Sequence, residues 1–220
     1  MNLSRYSRRC AVILVAASAS FITHAQSKLP ADLDPQSRAR LPYLKKSEMD
    51  ANGQKALGIF ISKDGTLTGP LAFASYNSGV GQALLDLHNA AVTGGTLDPH
   101  TRELAILVAC RETNYNLEWN GHQASALKAG IDPKVIDLVR NNRPLTGLDE
   151  KDATVIRFGR QLFGDKNVDS ATFGKAVDLW GKRGTMDMVA VMNTYAVSGY
   201  FAIAVNEQSP EGKPELPGVK

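Results

Sequence analysis

Aspartate marks helix starts along this chain, and that punctuation leaves few folds open to it. Asp98-Pro99 and Asp132-Pro133 each pair an N-cap acceptor with proline at the first helical position, and Asp149 and Asp169 cap without the proline. Such a carboxylate satisfies backbone N–H groups that a helix leaves unpaired, and proline loses nothing there because its missing N–H is one of them. Ser47 and Asp50 open a further helix over about 48–61. Shorter apolar stretches predict helices over 70–76 and 80–92, the latter ending at Gly94-Gly95. Helices are also expected after Asp98, over about 115–129 (closed by Gly130), to about 141, 163 and 182 after the other aspartates, and over about 186–206 beyond Gly184-Thr185. No window alternates apolar and polar residues as a half-buried strand would. The expected class is all-α, one domain of seven or eight helices.

Charge then separates the ends of the chain from its body. The 220 residues carry 25 Lys+Arg against 22 Asp+Glu. The excess sits in residues 1–25, where Arg5, Arg8 and Arg9 precede the apolar run CAVILVAASASFI and the small-residue end Thr23-His24-Ala25. That order reads as a secretory signal peptide cleaved after Ala25, and it implies a periplasmic or secreted protein. Without those three arginines bases and acids balance, so nucleic acid is not an expected partner. The apolar run is short for a membrane span, which needs about 20 residues. Cleavage also removes Cys10 and leaves Cys110 as the one cysteine, with no disulfide or Cys-Cys redox pair. Residues 26–47, broken by Pro30, Pro35 and Pro42, read as an extended arm. Residues 48–208 form the helical domain, and the Pro/Gly-rich 209–220 reads as a flexible tail.

The chemistry concentrates in Thr101–Gly130. Glu118 and His122 are four apart, so on a helix they share one face. A carboxylate beside an imidazole orients the ring and raises its pKa, which suits proton transfer. Glu103 stands in the apolar run Leu104–Leu107, where a carboxylate needs a partner. Antiparallel packing of the two helices would bring it to His122. The same i,i+4 pair also occurs on ordinary solvated helix faces. As a metal site the set holds a single imidazole beside two carboxylates, and no metal or other cofactor is expected.

Arg102-Glu103-Leu104 with its apolar run, Tyr115, Glu118-Trp119, His122 and Leu127-Lys128-Ala129-Gly130-Ile131 make the segment recognisable. Over about residues 65–205 the chain resembles the carboxymuconolactone decarboxylase family, which includes the alkyl hydroperoxidase D-like proteins. The resemblance implies an all-helical fold and a homo-oligomer, commonly a trimer or hexamer. In the family's peroxidase branch two cysteines stand where this chain has Tyr115 and Glu118, while Glu103 and His122 match that branch's proton-relay pair. Thiol peroxidase chemistry needs a thiolate and a resolving thiol, which Tyr115 and Glu118 cannot supply.

The expectation is therefore a cofactor-independent lyase of the decarboxylase type, acting on a small organic acid or lactone. His122 is the expected general acid/base, Glu118 its orienting partner and Glu103 a second relay carboxylate. Tyr115 and Trp119 are candidates to line the substrate pocket, and Arg102 or Arg111 to hold a substrate carboxylate. Each of these four also reads as packing or surface charge. The alternatives are an alkyl hydroperoxidase D-like peroxidase using Cys110 or an external thiol, and a non-catalytic helical oligomer that binds a small ligand. The nearly all-apolar helix from Met186 to Asn206 is expected to be buried, in the core or between subunits.

Overall fold

The computed structural model describes residues 29–69 and 71–218. The signal segment 1–25 and Cys10 lie outside the described residues. Among those described, seven α-helices and two isolated β-bridges account for the regular structure, together with short 3-10 and π turns. The helices are α1 (Ala51–Ala56), α2 (Ser78–His88), α3 (Pro99–Glu112), α4 (Asn116–Lys128), α5 (Pro133–Arg140), α6 (Glu150–Arg160) and α7 (Ser170–Ala204).

The aspartate punctuation works as local chemistry predicts. Asp98 accepts from the Thr101 N–H, Asp132 from Lys134, Asp149 from Lys151 and Asp152, and Asp169 from Thr172. At the other end of α4, Gly130 takes φ +85° and closes a Schellman motif, with Ile131 N–H donating to the Ala126 carbonyl and Gly130 N–H to Leu127.

Helix α3 is the centre. Every residue from Glu103 to Cys110 is buried, so α4, α6 and α7 pack around all its sides. The α3–α6 approach depends on Gly159, where an added Cβ would stand 2.3 Å from Val108 Cγ1. Trp119 on α4 and Phe158 on α6 are the largest side chains that close this core.

Three expected helix boundaries need revision. The helix over 48–61 is cut down to α1 flanked by 3-10 turns, and within the segment expected over 70–76 the described residues 71–76 hold only the 3-10 turn Ala74–Tyr76. The break near Gly184-Thr185 falls at Gly181 instead, where φ 67° and ψ 173° suit glycine alone. Gly184 stays helical, with Trp180 leaving no room there for a Cβ, and Thr185 donates to the Gly181 carbonyl.

The arm is folded onto the domain: Arg40 N–H donates to the Val205 carbonyl, Gln208 N–H to Arg38, and Ala39 is fully buried. The tail is docked rather than loose. Leu216 enters the main core, and its N–H donates to the Asn116 side chain at the start of α4. Arg140 and Arg111 donate to the Glu215 and Pro217 carbonyls, and Asn120 to that of Pro214.

On α7 the apolar surface is not wholly covered within one chain. Met186, Tyr200 and Ile203 are about half exposed. No helix among the described residues is long and apolar enough to cross a membrane.

Candidate active site

The i,i+4 spacing on α4 and the antiparallel packing of α3 against it do bring three predicted residues together. His122 Nδ1–H donates to Glu103 Oε2 at 2.8 Å, and Nε2 lies 3.3 Å from Glu118 Oε2. The ring is thus gripped at both nitrogens by carboxylates from two helices. Burial of the ring opposes its positive charge, but the hydrogen bonds and charges of Glu103 and Glu118 outweigh that and push its pKa up to about 9. Tyr195 of α7 meets the ring edge-on, with centroids 4.9 Å apart.

The two carboxylates are not equivalent. Glu118 and His122 face a cavity of about 340 Å³, whereas Glu103 sits behind the ring, outside the lining. The shorter bond belongs to Glu103, and Glu118 is the carboxylate that faces the cavity.

The rest of the wall comes from distant segments. Phe60, Leu71 and Val92 make it apolar, and His88 of α2 joins Thr194, Tyr195 and Ser198 of α7. Burial lowers the His88 pKa, and nearby Glu118 only partly opposes this. Burial also holds the Tyr195 phenol far above its usual range, helped by Glu118.

Sequence reasoning missed these residues. His88 stands apart from the Thr101–Gly130 segment, and Thr194, Tyr195 and Ser198 are embedded in the apolar run of α7. A tyrosine flanked by hydroxyl residues inside such a run was the one available signal.

The four other candidates lie elsewhere. Trp119 is fully buried as packing. Tyr115, at 3% exposure, lines a separate cavity of about 310 Å³ beside Glu207. Arg111 donates to the Arg140 carbonyl, the Asn114 side chain and the Pro217 carbonyl, so its fork serves the tail and not a substrate. Arg102 is absent from the lining of the cavity, and its Nε is buried without a hydrogen-bond partner among the described residues.

Cys110 is fully buried, and burial, with Glu118 and Glu103 nearby, drives its thiol pKa well up. Such a thiol is the opposite of a reactive one. His100, two residues before Arg102, pairs with buried Asp152 at 2.8 Å and ties α3 to α6.

Residues 79–158 match the family model described as the carboxymuconolactone decarboxylase family.

The chain's fold is similar to that of an uncharacterized peroxidase-related protein from Silicibacter sp. TM1040. The TM-score is 0.62 at 16% identity, over 84% of this chain and 97% of that one. An alkylhydroperoxidase AhpD core protein from Ralstonia eutropha JMP134, also peroxidase-related and uncharacterized, gives 0.61 at 15% identity over 79% and 93%. A variant of the debrominase Bmp8 in complex with 2,3,4-tribromopyrrole gives 0.55 at 9% identity over 73% and 82%. No curated protein matches the sequence.

Proposed function

We propose that this protein is an exported, cofactor-independent enzyme that transfers protons on a small organic molecule, in the manner of the decarboxylase branch of the family it resembles. The observation that carries the reading is the His122 ring held between Glu103 and Glu118 at the wall of a cavity. Below about pH 9 the ring is an imidazolium and supplies a proton to a developing carbanion or enolate. Glu118 accepts the proton that the substrate loses. Its 3.3 Å contact with Nε2 is long for a charge-assisted bond, so a substrate atom can replace it at either partner. Glu103 keeps Nδ1–H engaged, fixes the ring plane and stabilises the cation. A shift of a C–H proton uses both groups, whereas in loss of carbon dioxide from a lactone acid the electron pair of the broken C–C bond becomes the carbanion and only the imidazolium proton is consumed.

A Cys110-dependent peroxidase is disfavoured by the sealed, protonated thiol, and a purely ligand-binding role by the enclosure of the His122 relay. Export is supported by the basic and apolar leader, and mass analysis of secreted protein should find an N-terminus at Gln26. Assembly as a homo-oligomer, a trimer or hexamer as the resemblance implies, is supported by exposed Met186, Tyr200 and Ile203.

The deciding experiment follows hydrogen–deuterium exchange at carbon in a panel of lactones and β-keto compounds by NMR. Exchange is expected with the wild type and should fall at least about 100-fold in His122→Gln, the usual scale for a general acid/base. An unchanged exchange rate in a folded His122→Gln protein sinks the assignment.

A further inference from the structure

The polar groups in the wall of the cavity divide into committed and free. Thr194 Oγ1–H donates to the Ala190 carbonyl at 2.8 Å, and Ser198 Oγ–H to the Thr194 carbonyl at 3.1 Å. His122 Nε2 and Glu118 face each other at 3.3 Å. Two groups remain. Among the described residues no hydrogen bond engages the ring nitrogens of His88 or the phenol of Tyr195, and both side chains line the cavity. Tyr195 is only 5% exposed, and a phenol placed so deep without a partner is costly, a cost that an acceptor on an occupant removes.

The two free groups stand together. The ring centroids of His88 and Tyr195 are 6.2 Å apart, and Tyr195 also packs on the ring of His122. Burial keeps both as neutral donors. It lowers the His88 pKa, with the charge of His122 adding to the effect and Glu118 only partly opposing it, so near pH 7 the ring carries a single N–H. It raises the Tyr195 pKa far above the usual range, so the phenol keeps its proton. Arg102 lies outside the lining, yet its positive charge is felt at Tyr195.

From this arrangement, and resting on the proton-transfer reading of the same site, we infer that His88 and Tyr195 are a donor pair for one carbonyl oxygen of the substrate and hold the enolate oxygen while His122 protonates carbon. The substrate class is then a lactone, ketone or ester whose reacting carbon adjoins the carbonyl. Protons and electrons balance in both modes of reaction. In a proton shift Glu118 takes the proton from carbon, and the C–H electron pair moves into the carbonyl as an enolate. His122 Nε2–H then gives its proton to carbon, and protonated Glu118 restores it across their 3.3 Å contact. In decarboxylation the C–C pair becomes the enolate, carbon dioxide leaves, His122 gives its proton, and a solvent proton entering the partly open cavity restores it. In neither mode does His88 or Tyr195 gain or lose a proton. Their bonds to the oxygen strengthen as charge grows on it, which favours the transition state over the substrate.

The test reads the carbonyl bond itself. The probe is γ-butyrolactone, isotope-labelled at its carbonyl and bound at millimolar concentration to the full chain, with its stretch recorded by difference infrared spectroscopy. Its single ring fits the cavity of about 340 Å³ and packs on Phe60, Leu71 and Val92. The bound band is expected at lower frequency than in water, and Tyr195→Phe and His88→Leu should each move it back toward higher frequency. A merely structural role for either residue would change affinity or Tm and leave the band of the bound lactone in place. A band no lower than in water, a displacement that survives unchanged in either variant, or no binding at millimolar concentration overturns the inference. Carbon exchange is scored separately, and Tyr195→Phe should slow it at least about 100-fold, the usual loss for one oxyanion donor. A displaced band that the variants reverse, without exchange, upholds the inference while the proton-transfer reading fails. Exchange at the wild-type rate in both variants, with no displaced band, does the opposite.

Discussion

Replacing Glu103 by glutamine is the sharpest test of how the relay is built. The amide keeps the shape of the side chain and an oxygen that accepts from His122 Nδ1–H, and removes only the charge. In the native protein the ring's pKa is raised from 6.5 to about 9, a gap worth about 3 kcal/mol at about 1.4 kcal/mol per unit. Because the folded value lies above the unfolded one, this stabilisation is complete below about pH 6.5. It is lost as the pH climbs through about 9.

In Glu103→Gln, burial opposes the charge with Glu118 as the only remaining carboxylate partner. An opposite charge at this range is worth about 1–3 units, so the midpoint should fall by that much. Urea unfolding at pH 6, 7.5 and 9.5 should then show the decline between pH 6.5 and 9 shrinking by about 1–3 kcal/mol. NMR titration of the ring reads the midpoint directly. Two results refute the reasoning: a wild-type midpoint near 6.5, or an identical decline in both proteins.

Glu207, whose carboxyl burial raises to about 7 with Glu118 adding to the effect, makes the native state less stable as the pH rises from 4.5 to 7. Glu207→Gln should therefore stabilise the protein above pH 7, by up to about 2 kcal/mol in denaturant titrations. Gly159→Ala drives a methyl into Val108 and should cost about 1–3 kcal/mol or lower Tm measurably in calorimetry. Cys110 should resist a thiol reagent until the protein unfolds, and Cys110→Ala should leave any carbon-exchange activity within about twofold while costing about 1 kcal/mol of stability. Arg111→Ala should expose residues 212–218 to limited proteolysis, with about 1–2 kcal/mol lost from the bonds it makes.

What was legible in the sequence was local. An aspartate cap acts within three residues, so Asp98, Asp132, Asp149 and Asp169 announce helices without any knowledge of tertiary structure. Glu118 and His122 meet by helical geometry, and Glu103 betrays a partner because an acid in an apolar run needs one. Which carboxylate faces the cavity was not legible, since that depends on the rotation of α3 against α4. His88, Thr194, Tyr195 and Ser198 reach the site only through packing of α7 on α3 and of α2 on α7. The tail misled through its composition. Three prolines and two glycines usually mark a loose end, but one leucine with a core slot and a few carbonyls with arginine donors are enough to dock it.

The docking of residues 214–217 has a consequence for the order of events during synthesis. Asn116, at the first turn of the helix that carries Glu118 and His122, takes its partner from Leu216. That residue is made only after the whole of α7. Helix α4 therefore emerges, and waits through the making of α5, α6 and α7, with its first turn unlatched. The His122 carboxylate pair acquires this anchorage only once residue 216 is made, and a chain cut after residue 210 would carry Glu103, Glu118 and His122 without the latch on α4.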